Sequence, residues 1–180
     1  TITLHYVDYY MLHGVPNTAF TEAWAFVFQQ RDLDLLGMKI KNPDAESLQM
    51  IDMYWQMYEI MGVALVDMQV WNWMYKNPDA TPEQLKNQVI QIAKDTWNKY
   101  YAPVFGVKDE PILAIYSHMI DYPLYLPAYP IGHIVQYQME QYMKGKNIGS
   151  EMVRMLSQGR LVPKVWMEKA VGADLSVEPI

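Results

Sequence analysis

Apolar residues in this chain recur every three to four positions, the period of a helix with one buried face, and hardly ever alternate as a strand requires. The clearest series is Leu48, Ile51, Tyr54, Trp55, Tyr58, Met61, Leu65, Met68 and Trp71, which predicts one long helix. Asn42-Pro43 opens it, since Asn caps well and Pro is tolerated at the first helical position, and Asn77-Pro78 ends it. An earlier helix is predicted over about 18–36, capped by Asn17 or Thr18 and stopped by Gly37. Thr81-Pro82-Glu83-Gln84 reads as a capping box and starts a helix that runs to about Tyr101, ahead of Pro103. Shorter helices follow over about 110–120, 131–143, 150–157 and 163–171. Residues 3–12 are rich in aromatics and are broken by Gly14-Val15-Pro16-Asn17. Between Tyr122 and Pro130, three prolines forbid a regular helix, and the segment carries three Tyr and no charge, an odd make-up for a solvated connector. Strand-like runs are short, as in 102–107. The pattern predicts an all-α, multi-helix bundle in a single domain over 1–180, without internal repeats and without a sheet of consequence.

Composition narrows what such a chain can do. The 180 residues suffice for a sizeable core, and half of them are apolar, so the chain is not a disordered segment. Fourteen Tyr and six Trp suit interfaces and polar clefts, because each joins a large apolar body to a polar tip. The fourteen Met read chiefly as core filler. The formal net charge of -6, with only Lys144 and Lys146 clustered, argues against a nucleic-acid partner. The absence of Cys excludes disulfides, thiol catalysis and thiolate metal sites. No apolar run is long enough for a membrane span. The sequence opens at Thr1 inside what reads as structured chain, so the natural protein is expected to continue upstream, and the compartment is not legible.

Glu22 is the sole ionisable side chain between Val15 and Gln30, and Phe20, Trp24, Val27 and Phe28 surround it along the helix. A helix this apolar should be mostly buried, and a buried carboxylate must be paired or bound to a metal. Composition alone favours pairing with an Arg or Tyr, or a position facing water at a gap, over metal ligation. The small residues Ala19, Ala23 and Ala25 leave room for another helix to approach.

The segment from Asp8 to Phe26, with Phe20-Thr21-Glu22-Ala23 at its centre, resembles the region that follows the H-E-x-x-H helix in the thimet oligopeptidase and oligoendopeptidase F group of gluzincin peptidases. That resemblance implies a zinc peptidase acting on oligopeptides, of which this chain is a C-terminal portion. Glu22 then matches the third zinc ligand, and the two His ligands and the general base lie upstream of Thr1. The resemblance also implies Tyr and His residues that hydrogen-bond the substrate carbonyl and the developing oxyanion, and Tyr125, Tyr129, His118 and His133 sit in a comparable setting, with Tyr122 beside them. Taken alone, the chain is then expected to hold no zinc tightly and to be inactive, since catalytic zinc requires three protein ligands. The surface left beside the Glu22 helix is expected to favour self-association.

Other constellations carry less. His5, His13 and Glu22 form a conceivable ligand set, although the Gly-Val-Pro break after His13 disfavours it. Asp8 is either a carboxylate that orients a zinc-bound His or, more simply, a solvated residue. Asp52, Glu59 and Asp67 fall about a helical turn or two apart and read as a polar stripe. The alternative to the peptidase is a non-catalytic helical module whose aromatic and Met-rich surface grips a peptide or another protein.

Overall fold

The computed structural model describes residues 2–31, 36–37 and 43–178, and among them every regular element is helical. In chain order these are α1 (Ile2–Tyr6), α2 (Thr18–Gln29), α3 (Ala45–Lys76), α4 (Pro82–Tyr100), α5 (Ala102–Phe105), α6 (His118–Asp121), α7 (Ala128–Met143), α8 (Ile148–Leu156) and α9 (Pro163–Val171). Single 3-10 turns lie at Tyr10–Leu12 and Ile112–Ala114. The all-α expectation holds among the described residues. The chain divides into two compact units, residues 1–49 with 131–180, and residues 50–130.

In the first unit the buried face of α2 is Phe20, Ala23, Trp24 and Val27. It packs in one cluster with Val135, Met139 and Met143 of α7, Met155 of α8, and Trp166 and Met167 of α9. Each such large side chain contributes about 1.5–3 kcal/mol when fully buried. The Phe20 ring meets Trp166 edge-on, with centroids 5.1 Å apart. The Asn17 side chain accepts from the Ala19 amide and so fixes where α2 starts. Gly132 on α7 faces Ala19, Glu22 and Ala23 so closely that a Cβ there would lie 3.0 Å from the Ala19 carbonyl oxygen. The expected helix approach at Ala19 and Ala23 is therefore made by α7, whereas Ala25 is exposed. Beyond α2, Arg31 donates to both carboxylate oxygens of Glu140 at 2.5 Å and to the Val27 carbonyl at 2.7 Å.

In the second unit Val63, Val66 and Val70 of α3 pack with Ile92 and Ala93 of α4 and with Leu113, Met119 and Leu126. The Thr81 capping box forms as expected, Thr81 accepting from the Gln84 amide and the Gln84 side chain accepting from the Thr81 amide. Met53 and Met119 are buried, as are Met139, Met143, Met155 and Met167 in the first unit, while Met11, Met50, Met61 and Met68 are exposed, so core filling describes only part of the Met complement.

Several boundaries differ from the sequence pattern. The helix expected over 18–36 ends at Gln29, and 32–35 lie outside the described residues. Asn42 also lies outside them, and the long helix begins at Ala45, beyond the Pro43–Asp44 turn. The helix expected over 110–120 is instead a 3-10 turn and the short α6, because burial of Leu113 and Met119 sets the path and local propensity yields to it. The strand-like run 102–107 is the helical turn α5, with Pro103 in its first turn and Gly106, at φ 72°, stopping it in the left-handed region. The helix expected from 131 starts at Ala128, which places Pro130 within its first turn, where a missing N–H costs nothing.

Candidate functional site

Glu22 lies at the middle of α2, on the edge of its buried face. It is half-buried rather than enclosed, which corrects the expectation drawn from its apolar neighbours: Thr21, Ala25 and Phe28 are exposed, so α2 buries one stripe and not its whole circumference. Gly132 backs the Glu22 side chain, since a Cβ on that glycine would lie 3.0 Å from the Glu22 Cβ. A carboxylate rooted on a helix whose other side is packed has few backbone degrees of freedom, which suits a ligand that must be held in place.

His133 is one residue further along α7 and is buried. Its ring stacks on Phe26, with centroids 3.8 Å apart and planes 6° from parallel. Nδ1 lies 3.1 Å from the Gln136 side-chain oxygen. Burial pushes its pKa below the ordinary 6.5, opposed by the hydrogen bond to Gln136, so the neutral ring is favoured. A neutral imidazole is the form that ligates metals or accepts protons.

The second unit gathers the other expected residues. His118 in α6 meets Tyr122, Tyr125 and Tyr129 with ring centroids 5.8, 6.1 and 6.2 Å away. Tyr125 also meets Tyr122 at 6.1 Å and Tyr129 at 5.5 Å, and Tyr116 adds a fifth ring 5.2 Å from His118. The Pro-rich stretch after Tyr122 is therefore a scaffold that brings three phenols to one imidazole. Edge and tilted contacts of this kind hold rings in fixed mutual orientation. Tyr122 is exposed, while His118, Tyr125 and Tyr129 are half-buried. Ile115 and Ile120 are exposed beside them at 77% and 84%, giving the cluster an apolar rim.

Asp67 departs most from its sequence reading. It is fully buried, while Asp52 and Glu59 on the same helix are exposed, so the three do not form one polar stripe. Neither carboxylate oxygen has a well-formed hydrogen bond, and the backbone amides of Leu124 and Leu126 are directed at it. Burial raises its pKa above the ordinary 3.8, an effect that those two amides only partly counter. The sequence carried a signal: Val63, Ala64, Val70 and Trp71 stand three and four positions away on either side, which puts Asp67 on the apolar face of α3.

The remaining histidines do not complete a ligand set. His13 turns Nε2 to the Val7 carbonyl at 2.8 Å, and His5 is exposed with its ring against Tyr6. Among the described residues no three His, Asp or Glu side chains come together as a metal site would need. Asp8 is exposed. By residue, then, Glu22 and His133 belong to the first unit, and His118, Tyr125 and Tyr129 to the second. No protein-family model, curated protein or solved structure matches the chain.

Proposed function

We propose that this chain is the C-terminal part of a zinc-dependent oligopeptidase, in which Glu22 serves as one of three protein ligands and Tyr125 or Tyr129 hydrogen-bonds the reacting carbonyl. The observation that carries the reading is the assembly of His118, Tyr122, Tyr125 and Tyr129 around one point in the second unit. Glu22 matches one of the three protein ligands a catalytic zinc requires, and by the resemblance the two His ligands and the general base would come from chain upstream of Thr1. When bound there, zinc polarises the scissile carbonyl and lowers the pKa of a ligated water. The chain's own residues have separate tasks. Glu22 supplies negative charge from a helix fixed by its cap and its packing. A phenol of the cluster donates a hydrogen bond to oxygen as charge develops on it, and His118 sets the phenol's orientation by ring contact.

A second reading, a non-catalytic peptide-binding module, has its own support in the exposed apolar side chains of Ile115, Ile120 and Tyr122 at the rim of the same cluster. One set of measurements separates the two. Zinc content and hydrolysis of an internally quenched oligopeptide are compared for a chain extended upstream and for its Glu22→Gln, Tyr125→Phe and Tyr129→Phe variants. The peptidase reading expects Glu22→Gln to lose zinc, and one of the Tyr variants to lose roughly 10²–10³ in kcat with zinc retained. Peptide binding that persists in chelator, with no hydrolysis and no effect of Glu22→Gln, would establish the module instead.

A further inference from the structure

A cavity of about 600 Å³ opens in the first unit beside the start of α2, within the size range of small-molecule sites. Ile2, Val15, Pro16 and Leu156 give it apolar walls, Thr18 and Thr21 line it with hydroxyl-bearing side chains, and among the described residues no acidic side chain lines it. Trp24 also lines it and is 6% exposed, with an indole N–H that has no acceptor among the described residues. Among the described residues the charged side chain that lines it is Arg160. Its guanidinium forms no ion pair among the described residues, although the chain as a whole carries a net charge of -6.

Two glycines put Arg160 where it is. Gly14, at φ +104°, lies under the guanidinium, and a Cβ there would come within 3.2 Å of Nη2. Gly159, at φ +70°, lets the chain approach so closely that a Cβ would lie 2.6 Å from the Leu12 carbonyl oxygen. That same carbonyl accepts from the Arg160 amide at 2.7 Å. The arginine is thus rooted by a backbone hydrogen bond while its side chain makes no ion pair with an acidic group among the described residues. A guanidinium presents paired N–H donors that match a carboxylate in two parallel hydrogen bonds.

We propose that this cavity binds an organic carboxylate with an apolar body, Arg160 gripping the carboxylate and the walls around Trp24 and Leu156 taking the hydrocarbon. The C-terminus of a peptide and a free N-acylated hydrophobic amino acid share this chemistry. The site does not depend on Glu22 holding a metal, and its test is run in chelator so that failure of the peptidase reading leaves it standing.

The test titrates the wild-type chain by calorimetry with acetyl-phenylalanine, its amide, the tetrapeptide Ala-Ala-Ala-Phe and that peptide's C-terminal amide. Both acids bind saturably and the amides bind at least about tenfold more weakly. A tetrapeptide acid that binds more tightly than acetyl-phenylalanine assigns the site to peptide ends, and the reverse order assigns it to the free acid. Arg160→Gln loses at least about tenfold with helical circular dichroism unchanged, and Arg160→Lys, which keeps the charge without the fork, falls between. Equal affinity for acid and amide on the wild-type chain, no saturable binding of either acid, or a folded Arg160→Gln that binds as wild type would each overturn the proposal.

Discussion

The phenolic oxygen of Tyr101 is inserted into α3 at Gly62, accepting from the Gly62 amide at 2.8 Å while donating to the Tyr58 carbonyl at 2.6 Å. Those are the two groups that an uninterrupted helix would pair with each other, four residues apart. A second tie runs the other way, the Tyr58 hydroxyl donating to the Tyr100 carbonyl at 2.5 Å. Gly62 is required by the insertion, because a Cβ would stand 2.2 Å from the Tyr101 oxygen. Burial pushes the Tyr101 pKa from 10.0 up to about 12, partly offset by the Gly62 hydrogen bond.

Gly62→Ala is therefore expected to destabilise the protein, although alanine is favoured over glycine by about 1 kcal/mol in an unconstrained helix. Tyr101→Phe, which removes the hydroxyl from both hydrogen bonds, is expected to cost about 0.5–1.5 kcal/mol for each, less what the Gly62 amide and Tyr58 carbonyl regain by pairing with each other. Urea denaturation of both variants checks the signs. The raised pKa means that this group's contribution is complete below pH 10 and lost as pH rises through about 12, so Tyr101→Phe should remove a phenol that ionises near pH 12 from a spectrophotometric titration.

Asp67 predicts a pH dependence of opposite character to that of a salt-bridged carboxylate. Its folded-state pKa is raised, so the native state binds its proton more tightly than the unfolded chain does. The associated stability is present below the ordinary 3.8 and declines as pH rises through the folded value. Asp67→Asn removes this ionisation, and the stability difference, variant minus wild type, should increase from acid toward neutral pH by about 1.4 kcal/mol for every tenfold by which folding weakens the acid. Denaturation curves for the two proteins at pH 4 and pH 7 measure it. A difference that stays flat between those values would show that Asp67 titrates as it does in water.

Much of the fold was readable because its determinants are local. The Thr81–Gln84 capping box, the stop at Asn77 and the start at Pro163 rest on side chains within a few residues of the boundary they set. What failed depended on distant partners. Residues 110–120 carry enough apolar positions for a helix, yet their path is fixed by burial of Leu113 and Met119 in a core built largely by α3 and α4. The Tyr101–Gly62 insertion joins positions 39 apart and has no sequence periodicity to announce it. For the candidate site, the resemblance singled out the Tyr and His residues after Tyr116, composition marking only the uncharged, Tyr-rich loop 122–130, and their contacts depend on a chain path that turns at Leu124, whose φ is 61°. Glu22 was singled out by its solitude in an apolar helix, but its half-exposure reflects which neighbours face outward, and one helix's sequence does not decide that.

The stack of Phe26 on His133 makes a prediction of its own. Enclosure favours the neutral ring, and Phe26 covers one face of it. Phe26→Ala should let water reach the imidazole and move its pKa back up toward 6.5. Because the folded value is depressed, His133 contributes stability above the ordinary 6.5 that is lost as pH falls through the folded value, and the variant should lose less of it over the same range. Nuclear magnetic resonance titration of the imidazole C–H signals reads the midpoint directly. An unmoved midpoint would mean that groups other than Phe26 exclude water from the ring.

Gly132 is where packing and the proposed role of Glu22 meet in one substitution. A Cβ at this position would sit 3.0 Å from both the Ala19 carbonyl oxygen and the Glu22 Cβ, and 3.2 Å from the Ala23 nitrogen. Two of those three atoms are backbone within α2, so relief requires a helix to move rather than a side chain to rotate. Gly132→Ala should therefore cost about 1–3 kcal/mol by overpacking, against the gain of about 1 kcal/mol that alanine brings to a free helix. Gly132→Leu should cost more, because its larger side chain forces α2 and α7 further apart. A Glu22→Ala background removes the side chain beyond Cβ but leaves the Cβ and both backbone atoms in place, so it should rescue Gly132→Ala little. Thermal denaturation of the single and double variants tests this, and full rescue by Glu22→Ala would show that the glycine makes room for the carboxylate and not for the helix that carries it.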